Sequence, residues 1–353
     1  MKKVQDEHSR KYSVGVPGGE IHLPSLVTQD TCLEKWEIDR DAIRHRLLCV
    51  LGQAPQPTAL SWHVLYEKKE ENFSLQKIAY SSCDGETATG YLLIPNKVSV
   101  QMPAVLALHP TDIACAESVL IQREDCEENY PYGYELVQRG FVVFAPDLFV
   151  RWHCPDAVSL DQRYNTNFLE QKHPQWSAMG RAVYDHRQAL NLLCSLPYVD
   201  SKRIGVIGHS LGGTNALLLA ALDERVQATA VSCCLCSFCC HPNVQVWCRE
   251  SGFCYFPAFR QTISEGFVPF EWMEVLACTA PRPMYIFQAK RDMWFPRWDG
   301  AGESVKRAQD IYRLYHRPEY LKWVLWDGPH SFPDFARENA YLFLQDFLLR
   351  NEC

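Results

Sequence analysis

Hydrophobic patterning along the chain begins only after residue 30. Over residues 1–30 no period emerges, and Val16-Pro17-Gly18-Gly19 interrupts any regular element, so this stretch is expected to form an extended N-terminal arm. From Glu34 to Leu51 apolar residues recur at helical spacing (Trp36, Ile38, Ile43, Leu47, Leu48, Leu51). Gly52 ends that helix, and Pro55 and Pro57 prevent its resumption. Trp62–Tyr66, Phe73–Ala79 and Gly90–Ile94 read as strands, and Asp84-Gly85 marks a hairpin turn between the last two. The sheet is therefore expected to open with antiparallel strands.

From Pro103 onward the pattern alternates. Pro103–His109 is a buried strand, followed by a polar loop to Tyr130, a helix over Tyr132–Arg139 stopped by Gly140, and a strand over Phe141–Ala145. Leu148–Pro174 is irregular and aromatic, and Gln175–Leu196 is a long amphipathic helix. Strands over Arg203–Gly208, Val226–Ser232, Pro283–Ala289 and Leu321–Trp326 then alternate with helices over Thr214–Leu222, Glu303–Tyr315 and Pro333–Leu349. Alternation of this kind predicts an α/β fold: a mostly parallel central sheet with helices on both faces, occupying 31–353 as one domain.

One junction in that series carries chemistry. Gly208-His209-Ser210-Leu211-Gly212 joins a β-branched strand directly to an Ala- and Leu-rich helix. A strand that turns straight into a helix strains the residue at the apex and brings the positions two before and two after it into collision, so both are glycine. Ser210 is thus predicted to present its hydroxyl at the C-terminal edge of the sheet, at the positive end of a helix. A serine needs a base, and the base needs an acid to fix its tautomer. Behind such an elbow the acid follows in sequence and the histidine comes last. Asp292 lies just past one later strand and His330 just past the last, before the closing helix. Asp299 and Asp327 are the rival acids. The backbone N–H of Leu211 is expected to stabilise an oxyanion, with a second donor from the loop His109-Pro110-Thr111-Asp112. Proline has no N–H, which leaves Thr111.

Composition narrows the reading without changing it. A formal net charge of −7 gives no basic footprint for nucleic acid, and no apolar run reaches the length of a membrane span. No apolar stretch follows Met1-Lys2-Lys3, so no secretory signal is expected, and a cytoplasmic protein with mostly reduced cysteines is. Sixteen cysteines are many for such a chain. The run Cys233-Cys234-Leu235-Cys236-Ser237-Phe238-Cys239-Cys240-His241 continues from a buried strand, where cysteine serves as a small hydrophobe, so packing is expected there and no metal.

Together these residues resemble the α/β-hydrolase superfamily, most closely its dienelactone-hydrolase-like and acetyl xylan esterase-like branch. The resemblance runs from about Glu34 to the C-terminus. It includes Asp84-Gly85 with Gly90-Tyr91-Leu92-Leu93-Ile94-Pro95, Gly140–Asp147, Tyr184-Asp185-His186-Arg187 and Leu196–Asp200 before the elbow. It implies hydrolysis of carboxylic esters without metal or organic cofactor, by Ser210, His330 and Asp292, on a small-molecule ester of short acyl group. Dienelactone hydrolases carry cysteine at the nucleophile, and Ser210 here points to esterase chemistry instead. Peptidase and thioesterase activity, or a binding protein without turnover, are the competing readings, and a homo-oligomer stays open. Leu148–Pro174 (148–174) and the aromatic stretch 236–270 are expected to form cap insertions, with His109, Trp247 and Phe256 as candidate pocket residues.

Overall fold

A computed structural model describes residues 10–14, 19–55, 57–97, 101–121 and 130–349. The polar N-terminus, Val16-Pro17-Gly18 of the arm and the loop segment 122–129 lie outside the described residues. A nine-stranded sheet organises the molecule: β1 (Trp62–Lys69), β2 (Phe73–Ser81), β3 (Thr87–Pro95), β4 (Met102–Leu108), β5 (Val142–Pro146), β6 (Val199–His209), β7 (Val226–Ser232), β8 (Met284–Arg291) and β9 (Leu321–Pro329). Their spatial order is β9-β8-β7-β6-β4-β5-β3-β2-β1. The first three strands pair antiparallel, and so does β3 with β5, while every pair from β5 to β9 is parallel.

Burial follows from position in this order. The central strand β4 is buried along its whole length, which is why it reads as a continuous apolar run. Within that run the pleat still sorts side chains by parity. Ala104, Leu106 and Leu108 face one core layer, while Val105 and Ala107 face the other. The edge strand β1 is exposed throughout, carries a register irregularity between Val64 and Tyr66, and ends in Lys68 and Lys69. Irregularity and lysine at an edge both discourage pairing with another chain.

Among the described residues, six longer helices cover the sheet: α1 (Leu33–Leu51), α2 (Tyr132–Gln138), α3 (Ala178–Ser195), α4 (Leu211–Leu222), α5 (Trp298–Leu314) and α6 (Asp334–Leu348). Side chains of α1, α3, α4 and α5 fill one layer, and those of α2 and α6 the other. On α1 the buried stripe is Trp36, Ile43, Leu47, Val50 and Leu51, whereas Ile38 and Leu48 face solvent. At 100° per residue Ile38 lies on the far side of the helix from Trp36, so its hydrophobicity does not decide its burial. Helix α5 begins at Trp298, ahead of the predicted Glu303, through Gly300 and Gly302. Gly300 is a contact point: a Cβ there would lie 2.4 Å from the Cys240 sulfur. No helix among the described residues is long and apolar enough to cross a membrane.

The segment predicted to be irregular, 148–174, folds into short helices over Val150–His153, Leu160–Arg163 and Asn167–Lys172. Each is too short for a periodic pattern to show. An ion network pins this segment to the body. Arg181 of α3, almost fully buried, donates to Asp185 at 2.8 Å, Ser82 at 2.9 Å and Glu86 at 2.8 Å. Glu86 also meets His153 at 3.1 Å and Lys172 at 2.7 Å, and these contacts hold its carboxyl well below the usual range. The second insertion contains turns at Phe238–Cys240 and Val244–Cys248, a helix at Phe259–Ser264 and a strand at Phe267–Val268. That strand pairs antiparallel with Tyr12–Ser13, so the described part of the arm is fastened to it.

The sharpest steric feature lies where β4, β6 and α4 converge. A Cβ on Gly208 would stand 2.3 Å from the Gly212 carbonyl carbon and oxygen, and one on Gly212 would stand 1.9 Å from the Leu108 carbonyl oxygen. Backbone cannot yield as a flexible side chain does, so both positions demand glycine. Gly212→Ala is therefore expected to cost about 4 kcal/mol or more and to leave little folded protein, as read from yield and melting temperature. A second expectation concerns acid. His186 on α3 is fully buried, neither ring nitrogen has a hydrogen-bond partner among the described residues, and burial pushes its pKa down to about 3. A histidine whose folded pKa is depressed favours folding above its unfolded value of about 6.5 and withdraws that stability as pH falls below it. At pH 5 His186 alone should cost about 2 kcal/mol relative to pH 7.5, and His186→Leu should flatten the fall in melting temperature over that range.

Candidate active site

Ser210 occupies the single residue between β6 and α4, with φ +56° and ψ −123°. A non-glycine residue pays for this conformation with about 1–3 kcal/mol of strain, so its surroundings must hold it. Its N–H donates to Ser232 O at 2.9 Å, and its carbonyl accepts from Thr214 N–H at 2.9 Å. The register that sets Leu108 opposite Gly208 brings the loop after β4 beside the elbow. Strand order reverses about β4, whose neighbours β5 and β6 lie on either side, and the crevice at such a reversal is where α/β sheets bind ligands.

Asp292 and His330 leave the C-terminal ends of β8 and β9, and the structure brings them together. His330 Nδ1 lies 2.7 Å from Asp292 Oδ2, and both side chains are largely buried. The other carboxylate oxygen of Asp292 accepts from the N–H groups of Trp294 at 2.9 Å and Phe295 at 2.8 Å. With both oxygens committed the carboxylate cannot rotate, and an Nδ1–H donated to it leaves Nε2 of His330 as an acceptor. The imidazole has two ring neighbours: Phe295 stacks on it at 5.8 Å and 13°, and His209 lies at 4.7 Å. His209 immediately precedes Ser210, so this contact sets His330 against the elbow. Burial and the nearby His330 push the His209 pKa well down, and its Nδ1 lies 3.0 Å from the Ser232 hydroxyl. The rival acids are engaged elsewhere. Asp299 pairs with Arg297 at 2.9 Å, and Asp327, exposed, pairs with Arg291 at 3.2 Å.

The loop after β4 is fixed from three sides. The Tyr164 hydroxyl accepts from Asp112 N–H at 3.0 Å and lies 3.3 Å from Pro110 O. Tyr132 donates its hydroxyl to Leu108 O. His109 donates from Nδ1 to Pro110 O at 2.7 Å, while its Nε2 accepts from Leu148 N–H at 3.1 Å. Both nitrogens of His109 thus serve the backbone, and it staples the loop. Thr111, between these fastenings, is exposed, and Leu211 opens α4, buried.

Trp247 and Phe256 belong to an aromatic cluster with Phe238, Phe259, Phe270 and Trp272. Trp247 also meets Phe295 at 6.0 Å, one ring removed from His330. Phe256 has no accessible surface, so it is packed inside this cluster and does not line a pocket, a correction to the expectation from sequence. The two insertions meet through Thr166, whose N–H donates to Gly252 O at 3.0 Å and whose hydroxyl accepts from Cys254 N–H at 3.0 Å. An ion pair of Arg260 with Glu170 at 2.9 Å reinforces that seam. In the cysteine run, Cys234 packs on Gly213 and Cys240 on Gly300, where only a small side chain fits. Cys233 differs: it sits beside Asp292 and His330, and burial together with the Asp292 carboxylate pushes its thiol up to about 12. His209, Phe295 and Cys233 are the site neighbours that sequence alone did not single out, since long-range contacts place all three.

Comparison with known proteins agrees with this architecture. YtaP of Bacillus subtilis (strain 168), whose name assigns it to the hydrolases, is 26% identical over 310 residues, covering 86% of this chain and 98% of its own. A glucuronoyl esterase from Solibacter usitatus superposes with a TM-score of 0.74 at 16% identity, over 93% of this chain and 98% of that one. A Bacteroides fragilis NCTC 9343 structure titled as an acetyl xylan esterase gives 0.61 at 18% identity, over 85% and 77%. At those identities the two structures share the fold. The sequence profile of the Abhydrolase family matches residues 24–341, and since that span contains the elbow, the Asp292 loop and the His330 loop, the chain belongs to the Abhydrolase family.

Proposed function

We propose that the protein is a serine esterase in which Ser210, His330 and Asp292 transfer the acyl group of a carboxylic ester to water. The observation that carries this reading is the His330 Nδ1 to Asp292 Oδ2 hydrogen bond of 2.7 Å, on a ring packed against the residue that precedes Ser210. In this mechanism the Ser210 hydroxyl attacks the ester carbonyl carbon while Nε2 of His330 accepts its proton. The backbone N–H groups of Leu211 and Thr111 stabilise the oxyanion. Collapse of the tetrahedral intermediate expels the alcohol, which takes the proton from His330. Water then attacks the acyl-serine by the same route and releases the carboxylic acid.

A short acyl group is the substrate proposed. The acetyl xylan esterase title of one structural neighbour supports it, whereas the glucuronoyl esterase title of another supports a sugar acid on the acyl side. Kinetics on acetylated sugars against methyl glucuronate separates the two. The free thiols among the described residues support a reducing, cytoplasmic setting.

With short-chain nitrophenyl esters, Ser210→Ala is expected to lower kcat about ten-thousandfold or more and to abolish labelling by a fluorophosphonate probe. A protein that only binds gives neither turnover nor labelling in the wild type. Asp292→Asn is expected to lower kcat by about three to four orders of magnitude with KM little changed, because the amide favours the wrong imidazole tautomer.

A further inference from the structure

Cys233 is the member of the cysteine run that acyl transfer does not use and that packing alone does not explain. It follows β7 directly with φ +46°, a conformation that side-chain-bearing residues rarely adopt. Its N–H donates to Phe287 O on β8 at 2.8 Å, and its Sγ lies 3.3 Å from Ser331 O, beside His330. The thiol is therefore fixed between the two strand ends that carry Asp292 and His330. The Cys233 sulfur, an Asp292 carboxylate oxygen and a His330 ring nitrogen all lie within 4.8 Å of one another.

One soft sulfur, one imidazole nitrogen and one carboxylate oxygen are a donor set that suits zinc, with a fourth position left for water. Tetrahedral ligands at zinc distances stand about 3.3–3.8 Å apart. The Asp292–His330 pair at 2.7 Å must therefore open slightly to admit the ion, trading its hydrogen bond for two metal bonds. His330 has about 15% of its side chain exposed, which gives a cation a way in.

We propose that Cys233, Asp292 and His330 form an inhibitory site for zinc. The charges balance: one divalent cation, one thiolate and one carboxylate. On binding, the thiol proton leaves to solvent and the sulfur bonds the metal. The lone pair of Nδ1 also goes to the metal, and the proton that Nδ1 carried moves to Nε2. An Nε2 that bears a proton cannot accept one from Ser210, so the ion holds the imidazole in the tautomer that acyl transfer cannot use. Inhibition rests on the esterase reading above, whereas binding of the metal does not.

The test pairs inhibition with a spectrum. Chelator-treated enzyme is assayed on p-nitrophenyl acetate against increasing zinc chloride, and separately titrated with cobalt(II) while near-ultraviolet absorption is recorded. Zinc is expected to abolish wild-type activity, with full recovery on adding EDTA. Cys233→Ser and Cys233→Ala, whichever keeps the wild-type melting temperature, should need about tenfold or more zinc for half-inhibition. Cobalt should give a thiolate-to-metal absorption band in the wild type and in Ser210→Ala that is absent from the Cys233 variants. A wild type insensitive to zinc, Cys233 variants as sensitive as the wild type, or a band that survives in them overturns the proposal. Hydrolysis that persists in Ser210→Ala while the band behaves as expected overturns the esterase reading and leaves the metal site standing.

Discussion

The structure depends on a near-contact of two backbones, where Gly212 of α4 passes under the carbonyl oxygen of Leu108 at the end of β4. Because no side chain intervenes, α4 can follow β6 with a single residue between them, and Ser210 is forced into its positive-φ conformation at the rim of the sheet. The same closeness brings the loop after β4 alongside the first turn of α4. The positions proposed as oxyanion donors, Thr111 and Leu211, come from those two segments. A wider separation would relax the serine and part the two donors together. The strain at Ser210 is thus sustained by the close backbone packing around it.

A second constraint orients the imidazole. Asp292 is anchored by two N–H groups of its own loop, so the oxygen facing His330 is fixed by local backbone geometry. The ring is packed against both Phe295 and His209. Behind Phe295 stands Trp247, and behind Trp247 the remaining aromatic residues of the second insertion. Aromatic pairs of this kind contribute about 0.5–1.5 kcal/mol each beyond the area they bury. The insertion therefore does more than cover the sheet: its packing reaches the imidazole of His330 through one intervening ring.

What was legible in the sequence was what local spacing encodes. The elbow glycines, the apolar run of β4 and the placement of Asp292 and His330 after successive strands all follow from neighbours along the chain. Helix α5 starts five residues ahead of the expected Glu303, through Gly300 and Gly302, which are poor helix formers; the reason for the first, contact with Cys240, lies in another segment. The short helices of 148–174 carry no period to detect. The roles of Tyr164, His209 and Cys233 are set by residues distant in sequence, which one chain without its fold cannot reveal. For the arm, only the described part speaks, and it pairs with Phe267–Val268.

The seam between the two insertions has a consequence for divergence. Thr166 grips the main chain at Gly252 and Cys254, and main-chain groups are present whatever side chains surround them. Neighbouring positions on either insertion can therefore vary in size and polarity while the two halves stay in register. A scaffold joined in this way lets ordinary substitution change the surface of either insertion without first reinventing how the two are held together.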